Sequence, residues 1–417
     1  VGLEAGYAIT TASENVLIGP YAGYALTTGG NNVIMGQRAG DTITTGNLNV
    51  IIGDGAGGSA AVDTAGATII GYNAGLAVSG AGMTIVGRQA GTATNTAGAG
   101  IIMGQDAGRS VTGSYNTILG YSAMGDSSSG AEENVVVGYR AGEDTTGNYN
   151  VIMGSQAALT ATGLDNSVVI GRQAFSQGAS TSNNNVVIGY QANYENLSNE
   201  GSNTIIGYQA GYTVGSATTS LGGRDNTLVG YKAGYNLEFG ARNTMIGYKA
   251  GVAASDNGAG NASESHIAIG YTALGSAESI LEGDANVAIG NGAMGYLSGS
   301  SENNISILGG LGTQSAGVVG SYNIALGSET MTAMVGSSAS RGNIAFGKQT
   351  MNALTTGNYN VAIGRYALSS LNQATTNQEN NVALGYQAGR YLTTGSDNVY
   401  IGQALSLIHI SEPTRPY

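Results

Sequence analysis

The sequence contains no cysteine, no tryptophan, and only 3 prolines and 2 histidines among its 417 residues. Without cysteine, the chain cannot form disulfide bonds or thiolate metal sites. Charged residues make up only 10% of the sequence, whereas ordinary globular domains contain about 25%. We therefore expect a surface built mainly from Thr, Ser, Asn and Gly.

Long apolar runs are also missing, and none approaches the roughly 18 residues that a membrane-crossing helix needs. The net charge is −12, so the chain has no overall electrostatic attraction for nucleic acid or an anionic membrane. We expect neither nucleic-acid binding nor membrane insertion. The 71 glycines accompany a hydrophobic content of 41%, which is too apolar for a disordered linker.

The chain does contain one short sequence motif that is repeated many times. "NVVIGYQANY" begins at Asn185, "NTIIGYQAGY" at Asn203 and "NVALGYQAGR" at Asn381. A corner glycine is assigned to each apolar triplet from Gly2 to Gly402, and Gly309 is the one assigned after Ile305–Ile307. Repetition roughly every 17–18 residues is typical of solenoids. The sequence predicts an all-β fold over residues 1–404, a continuous parallel β-solenoid or β-roll of about 22 rungs with roughly 17–18 residues each.

Each part of the repeated motif meets a physical requirement of a β-solenoid rung. The triplets are short and mostly β-branched, which favours strands. The glycine after the triplet suits a corner that needs positive φ or a close backbone approach. The alanine three residues later fits inside a tight bend, and Thr-Thr-Gly supplies the turn back. The Asn before the triplet is expected to stack as a hydrogen-bonded ladder, with Asn32, Asn49, Asn150 and Asn360 as members.

The middle residue of each triplet faces away from the first and third residues, yet it too is apolar. A strand that is apolar on both faces calls for two cores, and a thin single-chain solenoid has only one. We therefore expect the second apolar face to be covered either by another part of the same turn or by another chain, and we favour another chain arranged around a symmetry axis. In the last third of the sequence the middle residue is often alanine, which indicates either closer partners or a more exposed face. These alanines are Ala268, Ala288, Ala325, Ala345, Ala362 and Ala383.

Tyrosine, with 24 residues, is the most informative residue type, and many tyrosines directly follow the corner glycine. One interpretation is a stacked ladder that covers the rung edges. The other is an exposed strip that contacts sugar rings or another surface, because tyrosine combines an apolar ring with a polar tip. The candidate contact residues are Tyr72, Tyr121, Tyr139, Tyr190, Tyr208, Tyr231, Tyr248, Tyr271 and Tyr386. The long loops 211–226 and 251–266 are further candidates.

Two stretches imitate nucleotide-binding motifs. "GDGAGG" matches G-x-G-x-x-G through Gly53, Gly55 and Gly58, but another rung follows it where a helix would be needed. "GNIAFGKQ", residues 342–349, approaches a P-loop, but Gln349 stands where Ser or Thr would hold Mg²⁺. We interpret both stretches as ordinary rungs.

Few other residues suggest chemistry. His266 occupies an Asn-like position of the repeat and is expected to be a polar residue at a rung corner. Glu143 and Asp144 flank a turn, where the alternatives are a loop Ca²⁺ site and a solvated acidic turn. An enzyme on a β-solenoid would need His, Asp, Arg or Lys clustered on adjacent rungs. We predict no catalytic residues, no metal site and no cofactor. A flat Thr-rich ice-binding face is a further alternative, but the Thr pairs lie in turns rather than in strands, which argues against it.

The repeat resembles two known families. "NVAIG", followed after two residues by alanine, is similar to the head repeat of trimeric autotransporter adhesins, a left-handed parallel β-roll of three intertwined chains. The longer period, with "NTIIGYQAGY" and "TTGSDN", more closely resembles repeat arrays in tail-fibre proteins of bacterial viruses.

The resemblance implies a homotrimeric structural fibre segment, a shaft or receptor-binding region of a phage tail fibre located on the virion. The alternative is a trimeric adhesin head on a bacterial cell surface. In either case a host-surface glycan or protein is the expected partner, and the location is extracellular.

The two ends carry separate expectations. The sequence begins inside a repeat, so we expect a fragment of a longer protein. Residues 405–417, "LSLIHISEPTRPY", break the repeat and contain two of the 3 prolines. This stretch resembles a translated sequencing adapter, and we expect it to be foreign to the native protein.

Overall fold

The computed structural model describes most of the repeat. It covers residues 1–58, 65–78, 80–92, 98–126, 130–178, 182–196, 201–214, 223–237, 240–252, 264–275, 283–295, 297, 301–308, 310–311, 320–334, 340–371 and 379–405. The chain divides into two compact units, Val1–Ser202 and Asn203–Tyr417. In these described residues every regular element is a short β-strand and none is a helix.

Each strand comprises three residues. In the first unit the strands are β1 (Val16–Ile18), β2 (Val33–Met35), β3 (Val50–Ile52), β4 (Thr68–Ile70), β5 (Thr84–Val86), β6 (Ile101–Met103), β7 (Thr117–Leu119), β8 (Val135–Val137), β9 (Val151–Met153), β10 (Val168–Ile170) and β11 (Val186–Ile188). In the second unit they are β12 (Thr204–Ile206), β13 (Thr227–Val229), β14 (Thr244–Ile246), β15 (Ile267–Ile269), β16 (Val287–Ile289), β17 (Ile305–Ile307), β18 (Ile324–Leu326), β19 (Ile344–Phe346), β20 (Val361–Ile363), β21 (Val382–Leu384) and β22 (Val399–Ile401).

Within each unit, every strand pairs in parallel with the next strand along the chain. The register places equivalent residues of successive repeats opposite each other, so that Val33 lies against Val50 in the first unit. In the second unit Ile344 lies against Val361 in the same way. One turn of the chain therefore advances by one strand, and the predicted all-β parallel solenoid is confirmed for both units.

The corner glycines have the geometry that the repeat predicts. Gly36 has a φ of +135°, and a Cβ atom added there would lie 2.4 Å from the carbonyl oxygen of Gly53 on the next rung. No side chain fits at such a separation, and this φ is also one that residues with a Cβ rarely adopt. Stacking of the rungs thus requires glycine at this corner.

One corner differs from the prediction. At a typical corner, the residue after the strand donates its backbone N–H to the carbonyl of the last strand residue of the previous rung. Gly327 makes this bond to the Ile307 carbonyl, and Leu308 makes it to the Ile289 carbonyl. Leu308 therefore occupies the corner that the spacing assigned to Gly309, and Gly309 itself lies outside the described residues. Leu308 adopts a φ of +72°, closer to the left-handed region that residues other than glycine can reach.

The middle residue of each triplet points into the interior of its own unit. Ile34, Ile51 and Ile152 are fully buried, whereas the first and third residues of their strands remain partly exposed. The alanines of the last third, such as Ala268 and Ala345, are also fully buried. Both interpretations of these alanines, as a partner-facing surface or as an exposed face, were therefore wrong.

The interior instead balances residue sizes across the core. The residue six positions after the middle strand residue also lies in the interior, and its backbone has a positive φ in the left-handed region. This position is Gly40 opposite Ile34, and a Cβ there would lie 3.3 Å from Cδ1 of that isoleucine. Where the middle residue is Ala345, the equivalent position is Met351, which is fully buried with a φ of +46°.

The same exchange recurs along the chain. Isoleucine faces glycine on β4 to β6, whereas alanine faces leucine or methionine on β15, β16 and β18 to β20. On β10 a moderate Val169 faces the large Phe175, whose ring extends to the point where a Cβ at Gly178 would lie 2.3 Å away. The bend alanines, including Ala39 and Ala90, are fully buried, as predicted.

Candidate functional site

A polar ladder runs beside the apolar interior. The Oδ1 atom of Asn134 accepts the backbone N–H of Asn150 at 2.9 Å and its side-chain N–H at 3.0 Å. The side-chain N–H of Asn134 donates to Oδ1 of Asn116 at 3.1 Å and to the Gly147 carbonyl at 3.0 Å. Each asparagine thus joins three rungs, which confirms the predicted ladder.

The four predicted members all belong to it. All four are buried. Asn32 and Asn49 accept the backbone N–H of the next rung at Oδ1. Asn150 and Asn360 donate their own backbone N–H to the asparagine Oδ1 of the previous rung. In the first unit the ladder is interrupted at Ala67, Met83 and Gly100, which occupy Asn positions. The sequence itself shows that these three consecutive rungs lack the asparagine, but the repeat period gives no reason for the substitution.

His266 replaces asparagine in the ladder of the second unit. Its backbone N–H donates to Oδ1 of Asn243 at 2.9 Å, and its Nδ1 accepts the backbone N–H of Asn286 at 3.1 Å. Burial lowers the pKa of His266 from 6.5 to about 4. The ring is therefore neutral near pH 7, and it acts as a hydrogen-bond acceptor within the ladder.

The tyrosines that follow corner glycines lie on the surface. Tyr72 is 51% exposed, and its neighbours in the row are Asp54 and Arg88 rather than tyrosines. Tyr121 and Tyr139 stack with ring centroids 5.5 Å apart. Stacking therefore requires tyrosines on consecutive rungs, and the predicted ladder forms only where the sequence provides them.

Two further candidates have contacts of other kinds. The guanidinium of Arg172 lies over the ring of Tyr190, with 5.8 Å from Cζ to the ring centroid. Tyr386 meets Tyr366 edge to face at 6.4 Å. The tyrosine rings on this surface therefore contact cations and ring edges as well as ring faces.

A stack of four tyrosines lies on the second unit. Tyr208, Tyr231, Tyr248 and Tyr271 stand on the rungs of β12 to β15, with centroid separations of 5.2, 5.0 and 5.0 Å. The rings are parallel to within 7°. A second, shorter row runs beside it, in which Tyr212 and Tyr235 stack at 5.0 Å.

Two lysines lie against these rows. Lys232 Nζ is 4.7 Å from the ring centroid of Tyr235 and 5.8 Å from that of Tyr231. Lys249 Nζ is 5.5 Å from the ring centroid of Tyr248. These distances are within the range of cation–π attraction. We call the six tyrosines and two lysines the tyrosine patch: Tyr208, Tyr212, Tyr231, Tyr235, Tyr248, Tyr271, Lys232 and Lys249.

The other motifs do not form sites. Gly53 is the corner after β3, and the described residues that follow it form a turn rather than a helix. "GNIAFGKQ" contains β19, with Gly347 as its corner. Both stretches are rungs, as interpreted from the sequence.

The acidic turn has an internal partner. Arg140 Nη2 lies 2.6 Å from Glu143 Oε2, so this carboxylate is held in an ion pair. Burial raises the pKa of Asp144, and the neighbouring carboxylates of Glu143 and Asp126 raise it further. In the described part of the chain, no three acidic or histidine side chains converge as a metal site would require.

Most of the long-loop candidates and the terminal stretch lie outside the described residues. These are 215–222, 253–263 and 406–417. The described residues also contain no helix with the length and apolarity needed to cross a membrane.

No protein-family model matches the chain, and no curated protein matches it either.

Proposed function

We propose that this chain is a structural segment of an extracellular fibre, and specifically part of a tail fibre of a bacterial virus. The observation that supports this role is the in-register stacking of equivalent residues within each unit, from strand to strand and along the Asn ladder. Every repeat adds one layer, so the number of repeats sets the length of a unit. Stability then comes from contacts between neighbouring layers.

We further propose that copies of the chain associate through the outward face of the strands. The first and third strand residues leave aliphatic side chains in solvent, including Val135 and Met153 in the first unit, which are 39% and 40% exposed. Ile246 and Ile267 do the same in the second unit, at 38% and 37%. Repeated aliphatic exposure of this kind is typical of an association surface, and the resemblance to fibre repeats favours three copies.

Light scattering on the full chain tests this assembly. We expect three times the monomer mass, and we expect the double substitution Val135→Lys and Met153→Lys to lower it because charges would be buried between copies. Leu48→Lys is the matched control, since Leu48 is exposed but lies outside the strands. A wild-type chain that remains a soluble monomer would contradict the assembly.

The second candidate is the head of a bacterial surface adhesin, in which the rungs themselves bind the host. The exposed tyrosines of β12 to β15 favour this role, because they offer a repeated contact surface. Recovering the gene beyond residue 404 separates the two functions. A self-cleaving chaperone domain would favour the tail fibre, whereas a membrane-anchor barrel would favour the adhesin.

A further inference from the structure

The tyrosine patch combines a row of four stacked tyrosine rings with two lysines that lie over tyrosine rings. We propose that it binds an acidic polysaccharide that lies along the row of Tyr208, Tyr231, Tyr248 and Tyr271, with about one sugar for each rung. This inference rests on the extracellular role proposed above, whether in a tail fibre or in an adhesin, and it names the chemistry of the partner. It does not depend on the number of copies in the fibre.

The ring geometry restricts what the patch can bind. Because neighbouring rings are parallel and 5.0 to 5.2 Å apart, their faces are already used by one another. The row therefore offers ring edges and hydroxyl groups, since Tyr208, Tyr231, Tyr248 and Tyr271 are 44, 39, 40 and 57% exposed. A nucleic-acid base needs an open aromatic face on which to stack, whereas sugar hydroxyls need hydrogen-bonding partners at the surface.

The repeat of the row favours a polymer. A hydroxyl group recurs at every rung, at the spacing of the stacked rings. An extended β-1,4-linked chain of six-membered sugars advances by a similar distance for each sugar. Successive sugars face opposite ways, so equivalent groups face the row at every second sugar. The rings are held by stacking before the ligand arrives, which limits the conformational entropy lost on binding.

Charge decides which kind of polysaccharide fits. The four segments from corner glycine to bend on these rungs, 207–212, 230–235, 247–252 and 270–275, contain two lysines and no Asp or Glu. The equivalent segments of the first unit carry both signs, with Asp41, Asp54, Asp106 and Glu143 in the same set of segments as Arg38, Arg88, Arg109, Arg140 and Arg172. The patch is therefore locally basic in a chain whose net charge is −12.

The lysines are available for a ligand. Among the ion pairs of the described residues, none involves Lys232 or Lys249. Both ammonium groups instead lie over tyrosine rings, which fixes them beside the row. The carboxylates of the sugars beside these two rungs would meet the two ammonium groups, while sugar hydroxyls meet the tyrosine hydroxyls.

Isothermal titration calorimetry with the full chain tests the proposal. The probe is a mannuronate hexamer, which is β-1,4-linked and carries one carboxylate for each sugar. We expect measurable binding that weakens as salt is added. The neutral probe is cellohexaose, which has the same linkage without the carboxylates, and we expect it to bind at least about tenfold more weakly.

Two sets of variants locate the site. The double substitution Lys232→Gln and Lys249→Gln should weaken mannuronate binding about tenfold. Tyr231→Phe with Tyr248→Phe keeps the stacked rings and removes two hydroxyl groups, so we expect about fivefold weaker binding. The matched control is Arg88→Gln with Lys348→Gln, which removes the same charge from exposed positions outside the patch and should leave the affinity unchanged.

Several results would overturn the proposal. These are equal binding of the charged and neutral hexamers, no binding of mannuronate, tighter binding of an oligothymidylate, or equal weakening by the patch and control substitutions. The light-scattering experiment stands apart from all of these. A monomer that binds mannuronate would remove the fibre assembly and keep this site, whereas a trimer that binds neither hexamer would do the reverse.

Discussion

Two groups of rungs fill equivalent interiors in opposite ways: β4 to β6 of the first unit, and β15, β16 and β18 to β20 of the second. On β5 of the first unit, Ile85 supplies the bulk and Gly91 leaves room for it, because a Cβ at that glycine would lie 3.1 Å from the isoleucine Cδ1. On β19 of the second unit, Ala345 is small and Met351 supplies the bulk, and both are fully buried. In these rungs each pair combines one large and one small residue, whereas on β7 Ile118 and Met124 are both large and both fully buried.

The second arrangement requires a backbone conformation that bulky residues usually avoid. Met351 has a φ of +46° and Leu368 a φ of +47°. A left-handed residue costs about 1–2 kcal/mol, but burying a Leu or Met side chain contributes about 1.5–3 kcal/mol. The N–H of Met351 also donates to the Ala367 carbonyl at 3.0 Å. Interior burial and rung-to-rung hydrogen bonding together offset the conformational cost.

The largest effect should come from removing the bulky member of a pair. Met351→Gly leaves a cavity beside Ala345, and we expect local stability to fall by about 3–5 kcal/mol. The loss should be local because rungs contact mainly their neighbours. Hydrogen exchange of the amides of β18 to β20, read by mass spectrometry, measures it.

The native first unit supplies the control for this substitution. Gly91 occupies the same position opposite Ile85, and the amides of β5 should remain protected in the wild type. A Met351→Gly variant whose β18 to β20 amides exchange no faster than wild type would contradict the pairing of sizes across the core.

A second difference between the units is a titratable ladder member. The described ladder of the second unit contains His266, whereas the first unit has only Asn, Ser and apolar residues at these positions. The pKa of His266 is lowered to about 4 by burial, while the unfolded chain binds a proton at its ordinary pKa of 6.5. The contribution of neutral His266 to the free energy of unfolding is therefore complete above pH 6.5, and it is lost as the pH falls toward 4.

We expect this loss to reach about 3 kcal/mol at pH 4. Hydrogen exchange of β14 to β16 between pH 7 and 4, corrected for intrinsic rates, reports it. His266→Asn restores the ladder residue without a titrating ring, so its rungs should lose less stability over this range. Equal acid sensitivity in the variant and the wild type would show that His266 is not the cause.

Much of the fold follows from the sequence because the repeat aligns equivalent positions of successive rungs. The corner Gly36, the bend Ala39 and the ladder Asn32 each have one local requirement that only a few residue types meet. The direction of the strand faces did not follow, because the triplet is apolar at all of its positions. The internal face depends on where Met351 and its equivalents re-enter the core, which the triplets alone do not encode.

The tyrosine patch was predictable only in part. The sequence places Tyr231 and Tyr248 on consecutive rungs, which is sufficient to predict stacking. The positions of Lys232 and Tyr235 relative to that row depend on the bend conformation. The sequence therefore indicated a surface strip, but it did not show that the ring faces are occupied or that two lysines lie over them.

A smaller effect is expected from overfilling the second type of core. Ala345→Ile adds bulk opposite Met351, and overpacking of this kind typically costs about 1–3 kcal/mol. Combining it with Met351→Gly recreates the Ile–Gly pair of β5. We expect the double variant to be more stable than the sum of the single effects predicts, by about 1–3 kcal/mol. Strict additivity in hydrogen exchange at β18 to β20 would argue against compensation.

The smallest effect concerns the tyrosine rows on the two units. Tyr231→Leu removes two ring contacts, with Tyr208 and Tyr248, and each aromatic pair contributes about 0.5–1.5 kcal/mol beyond its buried area. Tyr72→Leu in the first unit removes a ring without stacked tyrosine neighbours, so its effect on local hydrogen exchange should be smaller. If both substitutions had the same effect, the stack would contribute little to stability. The order of the rings would then have to be explained by what they bind.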